Sequence, residues 1–318
     1  MIVSEIYYGS GIGNQIWHYV VTRLIAERHG YKYGIMGKDR WKGQAFMPID
    51  FGEEVVGGSG PEGGPPETLP EGITNYYKEH YLRHPSTGGN VGLPDLNIIN
   101  VEDNTKIEGT LQRMSYIENH RLKICDWLKY DDSLNFSQFT GSDSCVIQFR
   151  GGDYLTGNSA LPPEYYSMAM EYMCTATNKN LKFYVCTDDP DNARRYIPEA
   201  EVIGSAISDE KDPYQGSIGW YKYPGGPIGI DYSILNQAEN VILSASTFGF
   251  WPVWTNTNAE NVIAPKYWFD WNASDGWWRP SEAIVDDWLW MDRSGNVSDG
   301  AECRKQFDKY KETNSLYS

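Results

Sequence analysis

The chain lacks long apolar runs: none of its 318 residues belongs to an uninterrupted apolar stretch of about 18, the length of a membrane span. It opens on a strand-like segment, IVSEIYY, without the charged and apolar regions of a secretory signal. These absences predict a cytoplasmic protein with no membrane span.

Metal-binding patterns are equally scarce. The five cysteines form no CxxC pair, and the five histidines form no convincing ligand set, since His80 and His84 lie four apart in a Tyr- and Pro-rich segment. An odd, scattered set of cysteines predicts reduced and mostly buried thiols. We therefore expect no metal ion and no bound cofactor. The cysteines are Cys125, Cys145, Cys174, Cys186 and Cys303.

Positive charge is in short supply. The formal net charge is −16, with an isoelectric point near 4.7. Such a surface repels nucleic acid and anionic lipid, which excludes both as expected partners. Any anionic ligand must then be met by a few local cations or backbone amides.

The pattern of elements predicts an α/β protein with two domains. The first series has strands at about 2–8, 31–36, 97–101 and 106–111 and helices at 14–29 and 113–130. The second has strands at 144–150, 181–187, 201–203, 240–245 and 261–265 and helices at 163–177, 190–196, 230–239 and 247–255. Two such series predict two Rossmann-like domains, 1–140 and 141–318, that face each other across a cleft. A final amphipathic helix at 298–313 is expected to pack back on the body.

Two Gly/Pro-rich stretches interrupt these series. Residues 57–72 read as a long loop, either a lid or a plain exposed excursion. Residues 204–229 form the second such stretch, and a polar segment at 131–143 separates the two series.

The most informative segment is SCVIQFRGGDY at 144–154. It reads as a buried parallel strand that places Arg150 at its carboxyl end, the edge at which open α/β sheets bind ligands. The planar guanidinium grips phosphate oxygens bidentately. Alternatively, Arg150 merely bridges a carboxylate.

Two further turns have a composition suited to phosphate. Gly11, Gly13, Asn14 and Gln15 lie between the first strand and helix, where glycines allow close backbone approach and the helix start attracts anions. The alternative is a tight turn with Asn14 as the N-cap. The sequence is not the full GxGxxG of nicotinamide enzymes.

The other turn follows the strand at 240–245. Ser246, Thr247 and Phe248 combine hydroxyl groups with the free amides expected of a helix start, and the alternative is an ordinary N-cap.

Taken together, the ordered motifs resemble the α-1,2-fucosyltransferases of glycosyltransferase family 11 and, more distantly, the α-1,6- and protein O-fucosyltransferases. SGIGNQIWHYV at 10–20 is similar to the family pattern GGLGNQMFQYA, and EGTLQRMSYIENHRLKI at 108–124 to the segment around GYFQS. FRGGDY, FYVCTDDP at 183–190 and DYSILNQAENVILSASTFGFWPVW at 231–254 follow in the family's order. The resemblance extends from about Met1 to Trp268.

The resemblance implies a GT-B fold, GDP-β-L-fucose as the sugar donor, an oligosaccharide acceptor, no metal, and inversion to an α-fucoside. It assigns Arg150 to the diphosphate, Ser246 and Thr247 to the phosphate and nucleotide site, and Asp231 to the neighbourhood of the base. Gln148 stands where relatives have a histidine that helps hold the guanine, and the Phe248 amide completes the expected donor site. The glycine turn, Gly11 to Gln15, is implied to face the cleft from the first domain.

The chain departs from the family pattern HxRRGDY at two positions. Gln148 replaces the histidine and Gly151 replaces the second arginine, which leaves a related glycosyltransferase with another sugar nucleotide as the alternative. Asp153 is the nearest candidate for a general base, although orienting Arg150 is the role we favour.

A non-catalytic carbohydrate-binding protein is a third hypothesis, because eight of the twelve tryptophans lie between Trp251 and Trp290. The alternative is that they form core, with Trp288 and Trp290 packed against the last helices. The sequence leaves the acceptor, the linkage and the oligomeric state open.

Overall fold

The computed structural model describes residues 1–57, 68–83, 95–130, 136–156, 159–204, 226–280 and 283–317. Parts of the three stretches at 57–72, 131–143 and 204–229 lie outside these ranges. The chain divides into two compact units, the first within Met1–Tyr130 and the second comprising the described residues from 136 onward.

The first unit is built on a parallel four-stranded sheet with the order β2-β1-β4-β3. Its strands are β1 (Ile2–Glu5), β2 (Tyr33–Met36), β3 (Asn75–Lys78) and β4 (Thr105–Glu108). Its helices are α1 (Ile12–His29), α2 (Met114–Ile117) and α3 (Arg121–Trp127), with short 3-10 helices at Lys38–Arg40, Ile98–Asn100 and Glu118–His120.

Helix α1 packs a broad apolar face into this unit and ends as the sequence predicts. Gly30 adopts the left-handed conformation (φ 68°), and its amide donates to the last helical carbonyls. At the other end the helix begins at Ile12 after Gly11, which offers no side-chain cap. The alternative of Asn14 as N-cap is therefore wrong, because Asn14 already lies within the first turn.

Three predictions for this unit are wrong in detail. The strand expected at 97–101 is the 3-10 helix Ile98–Asn100, since so short an apolar run carries no usable periodicity. The helix expected over 113–130 is interrupted at Glu118–His120, although Ile117 and Ile124, two turns apart, are both buried. Strand β3 was missed because only half of its residues are even partly buried.

The second unit contains a seven-stranded sheet with the order β11-β10-β9-β8-β5-β6-β7, parallel except for β11. The strands are β5 (Ser144–Phe149), β6 (Lys182–Thr187), β7 (Glu201–Ile203), β8 (Asn240–Ile242), β9 (Asn261–Pro265), β10 (Leu289–Met291) and β11 (Val297–Asp299). The helices are α4 (Ser137–Thr140), α5 (Asp153–Thr156), α6 (Pro163–Thr177), α7 (Pro190–Tyr196), α8 (Gly226–Gln237), α9 (Thr247–Thr255) and α10 (Gly300–Thr313). The predicted α/β class, with two parallel-sheet units, is confirmed.

The tryptophan-rich segment is core. All eight tryptophans from Trp251 to Trp290 are at most 4% exposed. Trp290 lies in β10, which the sequence did not predict, and its ring centroid lies 4.9 Å from that of Trp278. On α10, Cys303 and Phe307 are buried, so the final helix packs against the body as expected.

None of the helices in the described ranges has the length and apolar character needed to cross a bilayer.

Candidate functional site

The strand order of the second unit reverses between β5 and β8. The chain continues from β5 to β6 and β7 on one side and then returns to place β8 on the other. In open α/β sheets the ligand crevice forms at such a reversal, outside the carboxyl ends of the strands. Arg150 directly follows β5, and Ser246 follows β8, so both sequence-predicted segments lie at this position.

Arg150 is held between two carboxylates. Its Nη2 lies 2.7 Å from Oδ1 of Asp153, and its Nη1 is paired with the Asp188 carboxylate. The guanidinium carbon also lies 5.1 Å from the ring centroid of Tyr154. Because Phe149 lies opposite Thr187 in the β5–β6 register, Arg150 and Asp188 leave adjacent strands side by side. The alternative that Arg150 bridges carboxylates is therefore confirmed. The arginine does so at the sheet edge where the sequence predicts a phosphate.

Asp188 is a site residue that the sequence reasoning missed. Burial raises the pKa of its carboxyl group, and this effect is opposed by the Arg150 charge and by the Gly151 amide, 3.0 Å from Oδ1. The aspartate therefore fixes both the arginine and the turn that follows it. The available signal was its place directly after β6, in the TDDP motif, at the same sheet edge as Arg150.

The neighbouring Asp189 organises the same turn. It caps α7 through the Asn192 amide at 3.3 Å and accepts from the Gly152 amide at 3.2 Å. Burial raises the pKa of its carboxyl group, but these hydrogen bonds outweigh it and the net pKa is lowered. Asp189 is thus an ionised brace for the loop that carries Arg150.

Gly151 is required by the closeness of Asp189. A Cβ at this position would lie 2.8 Å from Oδ2 of Asp189 and in still closer contact with its Cβ. The arginine of the family pattern needs the same Cβ, so this turn cannot accept it without a backbone shift.

We therefore expect Gly151→Ala to destabilise the protein by about 1–3 kcal/mol, the usual range for overpacking. Urea denaturation measures this. Gly141→Ala is the matched control in the same unit, because Gly141 has extended backbone and a Cβ placed on it would meet only the Ser137 carbonyl oxygen, at an ordinary 3.6 Å. An unchanged unfolding midpoint for Gly151→Ala would show that the turn relaxes freely.

Gln148 is buried and supports the site from within the second unit. Its side chain is 3% exposed, and its Oε1 accepts a hydrogen bond from the Ser244 hydroxyl. A Cβ on Gly249 of α9 would lie 3.0 Å from the same oxygen. Gln148 thereby ties β5 to the turn between β8 and α9, so its carbonyl oxygen is committed to an internal contact.

The turn after β8 has the N-cap geometry that the sequence left as an alternative. The Ser246 hydroxyl accepts from the Phe248 amide at 3.3 Å, and its own amide donates to the Ser244 carbonyl at 2.8 Å. Thr247 and Phe248, both half-buried, begin α9. The helix start is therefore preformed, with its dipole directed at the strand-order reversal.

Asp231 lies on α8 and is buried. Its carboxylate lies against Gly204, whose backbone is left-handed (φ 76°), and a Cβ at that position would clash with Oδ1 of Asp231. It also accepts from the thiol of Cys186, and burial together with this carboxylate raises the pKa of that thiol. The contacts place Asp231 beside the ends of β6 and β7, at the same edge of the sheet as Arg150.

The first unit has its own strand-order reversal, between β1 and β4. The glycine turn follows β1 there, and Asn14 Oδ1 accepts from Gln112 Nε2 at 3.1 Å. Gln15 is buried and braces the turn: its amide nitrogen donates to the carbonyls of Ser10 and Arg40, and its oxygen accepts from the Lys42 amide. Gly13 is buried, whereas Gly11 is exposed.

His18, also on α1, gives this unit a defined pH response. It is 7% exposed, its Nδ1 has no hydrogen-bond partner, and burial lowers the pKa of the imidazole to about 4 despite the nearby Glu108 and Glu5.

The unfolded chain takes up this proton near pH 6.5 and the folded chain only near pH 4. The contribution of the neutral imidazole to the free energy of unfolding is therefore fully present above about pH 6.5. It is lost as the pH falls from about 6.5 to about 4. Between pH 6.5 and pH 4 we expect the unfolding free energy of His18→Gln to fall by about 3 kcal/mol less than that of the wild-type protein. Parallel denaturation curves from pH 4 to 7 measure the difference, and identical slopes for the two proteins would contradict a buried neutral imidazole.

No established protein-family profile matches the chain. The O-antigen biosynthesis glycosyltransferase WbnK of Escherichia coli is 25% identical over 155 residues, which are 46% of this chain and 44% of that protein. The aligned region thus spans less than half the length of this curated relative.

Among solved structures, NodZ α-1,6-fucosyltransferase soaked with GDP-fucose aligns with a TM-score of 0.45 at 15% identity, over 94% of this chain and 98% of that one. The fucosyltransferase NodZ from Bradyrhizobium aligns with a TM-score of 0.44 at 16% identity, over 82% and 94%. The fold class itself rests on the two parallel sheets described above.

Proposed function

We propose that this protein is a fucosyltransferase that transfers L-fucose from GDP-β-L-fucose to a glycan hydroxyl, forming an α-1,2 linkage to a galactoside with inversion and without a metal ion. The observation that carries the proposal is Arg150, presented with the preformed start of α9 at the strand-order reversal of the second unit. The ordered fucosyltransferase-like motifs and the relative named as an O-antigen glycosyltransferase support it.

The proposed chemistry requires stabilisation of a leaving diphosphate. Cleavage of the C1–O bond builds positive charge on the sugar and negative charge on the phosphates. A fixed guanidinium and preoriented amides lower this barrier because they need no reorganisation during the reaction. Arg150 supplies the charge, and the backbone amides in the first turn of α9 supply further hydrogen bonds.

Diphosphate binding also requires a change of partner at Arg150. The Asp188 side chain is 26% exposed and holds the guanidinium from one side, whereas the Asp153 side chain is 59% exposed. We assign Asp153 the orienting role rather than that of general base, because its carboxylate already accepts from the guanidinium. The more exposed carboxylate, Asp153, yields to the phosphate, and Asp188 keeps the arginine in place.

The two units divide the proposed substrates. The second unit binds the nucleotide sugar through Arg150, Gln148, Asp231 and the start of α9. The first unit contributes to acceptor binding, with Asn14 and the glycine turn at its own strand-order reversal. The sequence predicts the same division of roles between domains 1–140 and 141–318, and that division stays a prediction.

Calorimetric titration of the protein with GDP and with UDP, in the absence of divalent metal, tests the nucleotide assignment. Saturable GDP binding at least tenfold tighter than UDP binding is the expected outcome. Tighter binding of UDP would mean that the same site binds a different sugar nucleotide. Binding of neither nucleotide would refute the transferase assignment.

One observation favours that second candidate, a related glycosyltransferase with another donor. The Gln148 oxygen already accepts from the Ser244 hydroxyl, and a glutamine stands where the family pattern has a histidine, so recognition of the base differs from that pattern. The alternative of a non-catalytic carbohydrate-binding protein was based on the eight tryptophans. They are buried and offer no exposed ring faces to a sugar.

A further inference from the structure

A separate pocket of about 230 Å³ lies in the second unit, against α10. It is bounded by Lys266 and Tyr267 after β9, by Trp278, and by Gln306 and Tyr310 of α10. None of the residues assigned to the nucleotide site lines it.

The unusual feature of the pocket is a buried ammonium group. Lys266 is 6% exposed, and its Nζ donates to Oε1 of Gln306 at 2.6 Å and lies 5.5 Å from the ring centroid of Tyr267. Within the described part of the chain no carboxylate lies within ion-pair distance of it. An ammonium group has three donors, so two are left for a ligand. A buried cation without a counter-charge is unfavourable, and an anion relieves this cost.

The other charges of the pocket leave one positive charge in excess. Lys309 is a second ammonium group without a carboxylate partner among the described residues, and Asp275 is the single carboxylate among the described lining residues. Asp275 is exposed and accepts from the Tyr310 hydroxyl at 2.9 Å. Burial raises the pKa of the lining Cys303 thiol to about 12, so it stays neutral. A ligand with one negative charge balances this set.

The walls indicate what else the ligand carries. Aromatic rings of Tyr267, Phe307 and Tyr310 line the pocket beside the amide of Gln306 and the hydroxyl of Thr313. Ring faces pack against the C–H surface of a sugar, and amide and hydroxyl groups bind its hydroxyls. The volume is below the roughly 300–1,000 Å³ of drug-sized pockets, which limits the occupant to about one ring.

We propose that this pocket binds a saccharide unit bearing one carboxylate, with Lys266 on the carboxylate and the tyrosine rings against the sugar. The site is independent of the nucleotide site, so the proposal stands whether or not the chain transfers fucose. Its natural occupant is an acidic residue within a larger glycan.

Titration calorimetry with methyl β-D-glucuronide and with the neutral methyl β-D-glucoside tests the pocket on the full chain. We expect saturable binding of the glucuronide, at least tenfold tighter than that of the glucoside. Lys266→Met, nearly isosteric, should abolish this preference, whereas Lys266→Arg should retain it. Lys305→Met is the matched control, because Lys305 is an exposed lysine of α10 that does not line the pocket and whose Nζ lies 3.9 Å from Oε2 of Glu302.

Equal affinity for the two sugars, or unchanged glucuronide binding in Lys266→Met, would overturn the proposal. So would saturable binding of inorganic phosphate without binding of the glucuronide, which would indicate a simple anion site. If Lys266→Met does not fold, Gln306→Glu gives the same test, since the new carboxylate neutralises the ammonium group in place and should abolish binding. GDP affinity, measured in parallel, should be unchanged in every variant.

Discussion

Arg150→Ala is expected to lower the rate of fucosyl transfer about 10²–10³-fold and to abolish measurable GDP binding. Loss of one preoriented group that stabilises transition-state charge costs roughly 3–4 kcal/mol. The loss is at the upper end here, because the chain carries a net charge of −16 and Gly151 offers no second cation. Without the guanidinium, Asp188 and Asp153 would face the diphosphate directly. Initial rates with GDP-fucose and calorimetry with GDP measure the two effects.

Two further variants separate the role of the Arg150 guanidinium from the loss of any positive charge. Arg150→Lys keeps the charge but loses the planar fork, so we expect an intermediate loss. Arg194→Ala removes an exposed arginine of α7, paired with Asp191 at 3.3 Å, and should leave both transfer and binding unchanged. Wild-type transfer by Arg150→Ala would show that the sheet edge of the second unit is not the phosphate site.

Lys106→Met is expected to produce the largest loss of stability, about 3–5 kcal/mol. Lys106 and Glu5 are both fully buried in the first unit, with Nζ 2.7 Å from Oε2, and Arg40 reaches the other carboxylate oxygen at 3.1 Å. Removal of the lysine leaves a buried carboxylate with only part of its charge compensated. Urea denaturation followed by tryptophan fluorescence measures the change in unfolding free energy.

The double variant Glu5→Gln/Lys106→Met distinguishes an unpaired charge from a simple packing defect. With both charges removed, we expect much of the lost stability to return. The surface pair of Lys32 and Glu53, 2.9 Å apart with side chains 73% and 52% exposed, provides the control, and Lys32→Met should cost less than about 1 kcal/mol. Equal losses for the single and double variants would mean that the methionine packs badly.

The sequence alone determined the elements whose signals are local. Helix α6 has the predicted bounds, 163–177, because its apolar residues recur with helical spacing and a proline opens it. Gly30 ended α1 because only a left-handed residue suits that position. Strands β5 and β6 were predictable as continuous buried runs, and parallel strands place their carboxyl ends at one edge. Arg150 was therefore assigned to the correct edge of its sheet without coordinates.

Only the tertiary structure decided which side chains surround that arginine. Asp188 lies 38 positions along the chain from Arg150, and Glu5 lies 101 from Lys106. Periodicity and capping act over a few residues, so they carry no information about partners at such separations. Gly151 is explained by Asp189 for the same reason, and strands β10 and β11 are too short to show a period. Local spacing therefore determined where the arginine is presented, whereas long-range packing determined the charges and close contacts around it.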